Sequence, residues 1–236
     1  MANAIQMSVA ESEAPLIHFC GHAFLPLLSG GLFWQAENTL LVADLHLEKM
    51  SSFARSGQLL PPHDTGATLQ RLASDLAETG ATRVICLGDS FHRDEGTSTL
   101  LGDDKNRLEE LIADRDWLWI AGNHDPAPHA LGGACCPKTK IANLVLTHKP
   151  TQDLFGQVCG HLHPAARVHI NARSVRRPCF VHDERLMMLP AYGVSTGSLN
   201  ILSPPFAGLF ERRELRVTML GRDRLYPVGA KRLVGG

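Results

Sequence analysis

Apolar runs that stop abruptly on polar residues recur along this chain. Leu40–Leu41–Val42–Ala43 is continuous and ends on Asp44, as a buried strand running into a functional loop does. From Thr65 onward, Leu69, Leu72, Ala73 and Leu76 recur at helical spacing. That pattern predicts a helix with Asp64 or Thr65 as its N-cap and Gly80 at its close. Arg83–Val84–Ile85–Cys86–Leu87 reads as the next strand and ends on Gly88–Asp89. Leu108, Leu111 and Ile112 share one face of a helix between Asp104 and Arg115. Trp117–Leu118–Trp119–Ile120–Ala121 is then a third strand, running into Gly122–Asn123–His124–Asp125. The resulting β-α-β-α-β order predicts an α/β fold. After Asn143 the helical signals thin out. Leu144–Leu146, Val158–Cys159, Val168–Ile170, Phe180–Val181 and Leu199–Leu202 predict short strands. Pro126 to Pro137, with its glycine pair, reads as a loop, and Pro204–Pro205 as a turn.

No internal repeat, low-complexity block or linker divides the sequence, so one domain is expected over residues 16–236 after a flexible N-terminus over 1–15. That opening stretch is polar and acidic, without the charged start and apolar run of a signal peptide. No apolar stretch approaches the ~20 residues needed to cross a bilayer. A soluble cytoplasmic protein with no membrane association is the expectation.

Composition changes this picture in two respects. The 23 Lys and Arg residues against 24 Asp and Glu give a net charge of -1, which excludes bulk attraction to a polyanion and makes any anion binding local. Twelve histidines beside two tyrosines are a first hint of metal chemistry. The six cysteines include no Cys-x-x-Cys pair and define no framework. Arg173, Arg176 and Arg177 form a small basic cluster, as do Arg212, Arg213 and Arg216. Such runs read either as solvated surface or as contacts to phosphate.

The polar residues at the predicted strand ends form a constellation. In order they are Asp44-x-His46, Gly88–Asp89, Gly122–Asn123–His124–Asp125, His148 and Gly160–His161-x-His163. Ligands of open α/β sheets gather at the carboxyl ends of strands, so these groups are expected to converge on one crevice. Carboxylate, imidazole and amide oxygen make a mixed N/O set suited to Mn, Fe or Zn. Asp44 with His46, and His161 with His163, are spaced to chelate single ions. The two oxygens of Asp89 allow it to bridge two ions ~3.5–4 Å apart, the spacing of binuclear hydrolases.

This order of motifs is similar to the signature of the calcineurin-like metallophosphoesterase superfamily. Asp44–Lys49, Ser51–Ala54, Leu60–Pro62, Asp64–Thr65, Arg83–His92, Pro190–Ala191–Tyr192 and Thr196–Gly197 further resemble one branch of it. That branch is the bacterial ligase-associated DNA damage response endonucleases, manganese-dependent phosphodiesterases. The resemblance implies a β-sandwich of two mixed sheets flanked by helices, with a binuclear metal site at the C-terminal ends of the strands. It implies one metal on Asp44, His46, Asp89 and His163, and a second on Asp89, Asn123, His148 and His161. His124 then matches the histidine beside the leaving-group oxygen, so His124, Asp89 and Asn123 are the expected catalytic residues. His92 either contacts the substrate or caps its loop, and Arg55 is a candidate phosphate contact. Glu48 and Lys49 are expected behind the metal ligands or as a surface pair.

The cofactors implied are two divalent ions, Mn first, with Fe, Zn or Mg as alternatives. The reaction implied is hydrolysis of a phosphodiester by metal-activated water, in DNA during repair. The partners implied are DNA or another phosphodiester, and a DNA ligase, exonuclease and helicase of the same repair system, with a homodimer as the assembly. Two alternatives differ in class. One keeps the metals and acts on small nucleotides or other phosphoesters; the other is a non-catalytic subunit of a repair complex. The complete ligand set argues against the second.

Overall fold

A computed structural model describes residues 16–51, 63–100, 102–151, 155–171 and 173–235. The flexibility expected of residues 1–15 falls outside these. Seven strands form the first sheet: β1 (Ile17–Phe19), β2 (His22–Pro26), β3 (Leu32–Trp34), β4 (Thr39–Val42), β5 (Arg83–Cys86), β6 (Asp116–Ile120) and β7 (Ala134–Cys136). They lie side by side in chain order, antiparallel from β1 to β4 and parallel from β4 to β7.

The second sheet holds β8 (Lys138–Ile141), β9 (Leu144–Thr147), β10 (Gln157–Cys159), β11 (Pro164–Ile170), β12 (Arg173–His182), β13 (Leu186–Met188) and β14 (Leu199–Asn200). Their order is β14-β11-β12-β13-β10-β9-β8, and β15 (Arg216–Leu220) with β16 (Leu225–Gly229) attaches through β12. Both sheets are mixed, as the fold expectation has it. Strands β9, β10 and β13 run parallel, as β4, β5 and β6 do in the first sheet.

Alternation along the strands separates the layers, because successive side chains point to opposite faces. Leu40, Val42, Val84, Cys86, Trp117 and Trp119 pack against α1 (Asp64–Thr79) and α2 (Asp103–Ala113). Their neighbours Leu41, Ala43, Ile85 and Ile120 face the second sheet and meet Leu146, Val158, Phe180 and Met187 there. A third cluster, with Cys179, Val181, Met188, Ile201 and Val217, covers the far side of that sheet. The core strands are therefore buried on both faces, which is why they read as unbroken apolar runs.

Two local expectations are corrected. Asp64 and Thr65 do not cap α1: His63 holds the N-cap position, without a side-chain cap hydrogen bond. The two side chains turn instead to the segment after β4. Asp64 accepts from the Met50 N–H at 3.1 Å, and the Thr65 hydroxyl accepts from the Glu48 N–H at 2.9 Å. Part of the expected 126–137 loop is strand, since Ala134–Cys136 pairs in parallel with Leu118–Ile120. Its edge position and small residues leave little apolar signal. At the other end of α1 the expectation holds: Gly80 closes the helix at φ 66°, its N–H on the Leu76 carbonyl.

Candidate metal centre

Every ligand candidate lies just beyond the carboxyl end of a parallel strand. Asp44 and His46 follow β4, Asp89 follows β5, Asn123 follows β6, His148 follows β9, and His161 and His163 follow β10. The loops after β4 and β5 stay zipped beyond the strands. The Asp44 N–H donates to Gly88 O at 3.1 Å, His46 N–H to Asp89 O at 2.9 Å and Leu47 N–H to Ser90 O at 2.9 Å. Five of the seven candidates, Asp44, His46, Asp89, His161 and His163, have φ between 44° and 79°. Side-chain-bearing residues adopt that left-handed region at a cost, and such strain concentrates at functional sites.

Two groups of side chains result, each with ligand atoms within 4.8 Å of one another: Asp44, His46 and His163, and Asp89, His148 and His161. Asp89 joins them. Its Oδ2 is 3.9 Å from His46 Nε2, while its Oδ1 is 3.3 Å from His148 Nε2. Asn123 Oδ1 is 3.0 Å from the same His148 nitrogen. Backbone amides fix the two carboxylates: Asn123 and His124 N–H donate to Asp89 Oδ1 at 2.7 and 2.9 Å, and the His161 N–H donates to Asp44. Gly88, at φ 82°, has the His148 ring packed against its bare Cα, where a Cβ would collide with the imidazole. At Gly122 a Cβ would overlap the Asp89 backbone in the same way.

These residues fit a cation. Asp44 and Asp89 are 0% and 2% exposed, yet among the described residues neither has a Lys or Arg within ion-pair distance. Buried carboxylates need a compensating positive charge. His148 Nδ1 donates to Leu87 O at 2.9 Å and His163 Nδ1 to Gly197 O at 3.1 Å. In the neutral rings both Nε2 atoms are then lone pairs, the tautomer that metal-binding imidazoles take. Ring nitrogens of the other two histidines converge on them: His46 Nε2 lies 3.2 Å from His163 Nε2, and His161 Nδ1 lies 3.2 Å from His148 Nε2.

The titration directions show the two carboxylates drawing positive charge towards them. Burial lowers His46 to about 3, with the His163 charge acting the same way, and burial with the His148 charge lowers His161. Burial also opposes charge on His148 and His163, but the Asp89 and Asp44 carboxylates beside them raise both. Burial works against the Asp89 anion too. The hydrogen bond and charge of His148 outweigh it and hold that carboxyl well below its usual range.

His124 stands at the rim with a 41% exposed side chain, its Nδ1 on His92 O at 3.0 Å and its Nε2 4.0 Å from Asp89 Oδ2. The His92 ring stacks on it with centroids 5.3 Å apart, and the pair groups with His46. His92 therefore adjoins the site, and its carbonyl orients His124. Arg55 lies outside the described residues, as do Ser52–Ala54 and Leu60–Pro62. Glu48 is buried, and its carboxylate accepts from the Thr65 hydroxyl at 3.2 Å, so the surface-pair alternative does not hold for it.

Several contributors have no role assigned at the sequence level. Asp125 accepts N–H bonds from Ser90 and Phe91 on Oδ2 and from Gly122 on Oδ1, tying the Asp89 loop to the Asn123 turn. The motif Gly-Asn-His-Asp carried its letter without its role. Residues 190–197 form a wall: Tyr192 N–H donates to Ala43 O, Gly193 N–H to Asp44 O, and Gly197 O holds His163. Tyr192 is itself held, its hydroxyl on Asp75 at 2.8 Å and its carbonyl on Arg71 at 2.7 Å.

No family model and no curated protein matches the chain. Among solved structures it is similar to the nuclease MPE of Pseudomonas putida, with 28% identity, a TM-score of 0.69, and coverage of 91% of this chain and 99% of that one. Another match is the phosphoesterase Yfce of E. coli, at 15% identity and a TM-score of 0.36, covering 84% of this chain and 96% of that one. The likeness to the nuclease's fold and the strand-end placement of the acidic and imidazole groups agree with one another. In fold the chain matches the calcineurin-like metallophosphoesterases, and the layout of its site is that of a metal-dependent phosphoesterase.

Proposed function

We propose that the chain is a binuclear-metal phosphodiesterase that cleaves the backbone of DNA in repair. The observation that carries the binuclear reading is Asp89, which has one oxygen 3.9 Å from His46 of one ligand group and the other 3.3 Å from His148 of the second. Asp44, His46, Asp89 and His163 would hold one divalent ion, and Asp89, Asn123, His148 and His161 the other. Their mixed N/O chemistry suits manganese. When bound, such ions neutralise phosphoryl oxygens and make water acidic enough to supply a nucleophile near neutral pH. Similarity to a nuclease over most of both chains supports a polynucleotide substrate.

The chain's own residues do the rest. Asp44 and Asp89 are kept ionised and oriented by backbone N–H groups. Asn123 presents its amide oxygen to the same space. With Nδ1 held by His92 O, the rim position leaves His124 Nε2 to meet the leaving oxygen and deliver a proton there.

The deciding experiment is incubation of the protein with linear and circular DNA, and separately with bis-p-nitrophenyl phosphate and cyclic nucleotides. The expected result is manganese-dependent cleavage of both DNA forms, abolished by chelator. Inert DNA beside rapid cleavage of the nucleotides would transfer the reading to a small phosphodiester. Replacing His124 with Gln is expected to slow DNA cleavage by about 10²–10⁴-fold. Bis-p-nitrophenyl phosphate should suffer less, because p-nitrophenolate leaves without a proton. Equal losses on both substrates in steady-state kinetics would remove His124 from the acid role.

A further inference from the structure

The hairpin of β11 and β12 leaves the metal centre directly, since β11 begins at Pro164, next to His163. From Gly156 to His182 the sequence has four arginines and no Asp or Glu. Register divides the hairpin into two faces. Ala166, Val168 and Val175 turn to the third core cluster. The other face presents Arg167 directly opposite Arg176, and His169 directly opposite Ser174. Like charges opposed across an antiparallel pair destabilise it. No carboxylate lies within ion-pair distance of either arginine among the described residues.

Arg176 is nonetheless held in place. Its Nη2 donates to Ser198 O at 2.6 Å and to Ser198 Oγ at 2.8 Å. The preceding residue, Gly197, supplies the carbonyl that orients His163. A guanidinium and a metal-ligand candidate thus grip adjacent residues of one wall. Arg167 is half-buried, and its Nε has no hydrogen-bond partner among the described residues. Two arginines held together near a phosphoesterase site, with no acid beside them among the described residues, leave their charge open to an anion from outside.

We infer that this face of the hairpin is a docking strip for the phosphate backbone of the substrate, gripping phosphates several nucleotides away from the scissile one. The inference rests on the polynucleotide reading above and deepens it. At ~3.3 Å per strand residue, Arg167 lies ~13 Å along β11 from His163. Duplex phosphates advance ~3.4 Å per nucleotide along one strand, so that distance is about four nucleotides. Guanidinium suits this task, because its fork of donors matches a phosphate group in bidentate fashion. Contacts to phosphate carry no sequence information, so a strip that works this way confers affinity without sequence preference.

The test compares wild-type holoenzyme with Arg167→Gln, Arg176→Gln and the double variant. The substrates are a 20-base-pair linear DNA and bis-p-nitrophenyl phosphate. In each variant KM for DNA should rise while kcat on the small diester holds. The slope of log KM against log salt should flatten by about 0.9 for each arginine removed. The pair Arg212→Gln and Arg213→Gln serves as control, because these exposed residues lie between Glu211 and Glu214. It should change neither value.

An unchanged KM and salt slope in the double variant, with the wild type still cleaving DNA, would overturn the docking strip and leave the nuclease reading intact. Wild-type enzyme that hydrolyses the diester but neither binds nor cleaves DNA would overturn both. If Arg176→Gln depresses both substrates alike, its role is to hold the Ser198 wall, and Arg167→Gln alone, which breaks no side-chain hydrogen bond among the described residues, then decides.

Discussion

Replacing Asp89 with Asn is expected to reduce phosphodiester turnover by more than the roughly 10–100-fold that a change behind the metal ligands causes. The substitution keeps the size of the side chain and one oxygen to accept the Asn123 and His124 N–H groups. It removes the negative charge that faces both ligand groups. The turn after β6 should therefore remain in place while affinity for both cations collapses. Isothermal titration with Mn, alongside hydrolysis of bis-p-nitrophenyl phosphate, measures the two effects separately. Near-wild-type titration of two ions by the variant would refute the bridging role. Asn123 makes a useful comparison, because it lies next to only one of the two groups, at His148. Asn123→Ala should weaken one of the two binding events and spare the other.

Asp125 has a comparably large expected effect for a different reason. It faces neither ligand group as a donor, yet its carboxylate, 7% exposed, is the acceptor for the N–H groups of Gly122, Ser90 and Phe91 at 2.8–3.1 Å. Asp125→Ala leaves three backbone donors unsatisfied, each at a cost of about 1–3 kcal/mol when buried. The loss in stability is expected to be about 3 kcal/mol or more, read as a fall in the urea midpoint. Asp125→Asn should fall between the two, since its single oxygen can still serve Ser90 and Phe91. Urea midpoints for Asp125→Ala and Asp125→Asn that match wild type would show that the two loops hold their shape without this clamp.

Both residues illustrate which parts of the site are legible in a sequence. Strands β4, β5 and β6 are buried on both faces, so their apolar runs are long and the motif after each stands out. The side chains of the metal candidates are then readable as letters at strand ends. Main-chain contributions have no letter. Leu87 O and Gly197 O, which set the tautomers of His148 and His163, are invisible until the loops are placed. Asp125 belongs to the same class, because its partners are amides rather than side chains. In the fold, β1, β3 and β7 escape a periodicity argument because each has three residues, β2 because its five are only partly buried, and β7 is also half-exposed at an edge. The hairpin formed by β11 and β12 extends past the core, and its outer half carries arginine and serine where an apolar pattern would have marked a strand.

The division of the candidate ligands between the two sheets has a further consequence. Asp44, Asp89 and Asn123 belong to the first sheet, whereas His148, His161 and His163 belong to the second. On a chain leaving the ribosome N-terminus first, the oxygen donors emerge well before most of the nitrogen donors. An ion captured early would meet an oxygen-rich half-site suited to harder cations. The two halves of the candidate ligand set meet only where the two sheets pack, so the complete centre requires the finished fold.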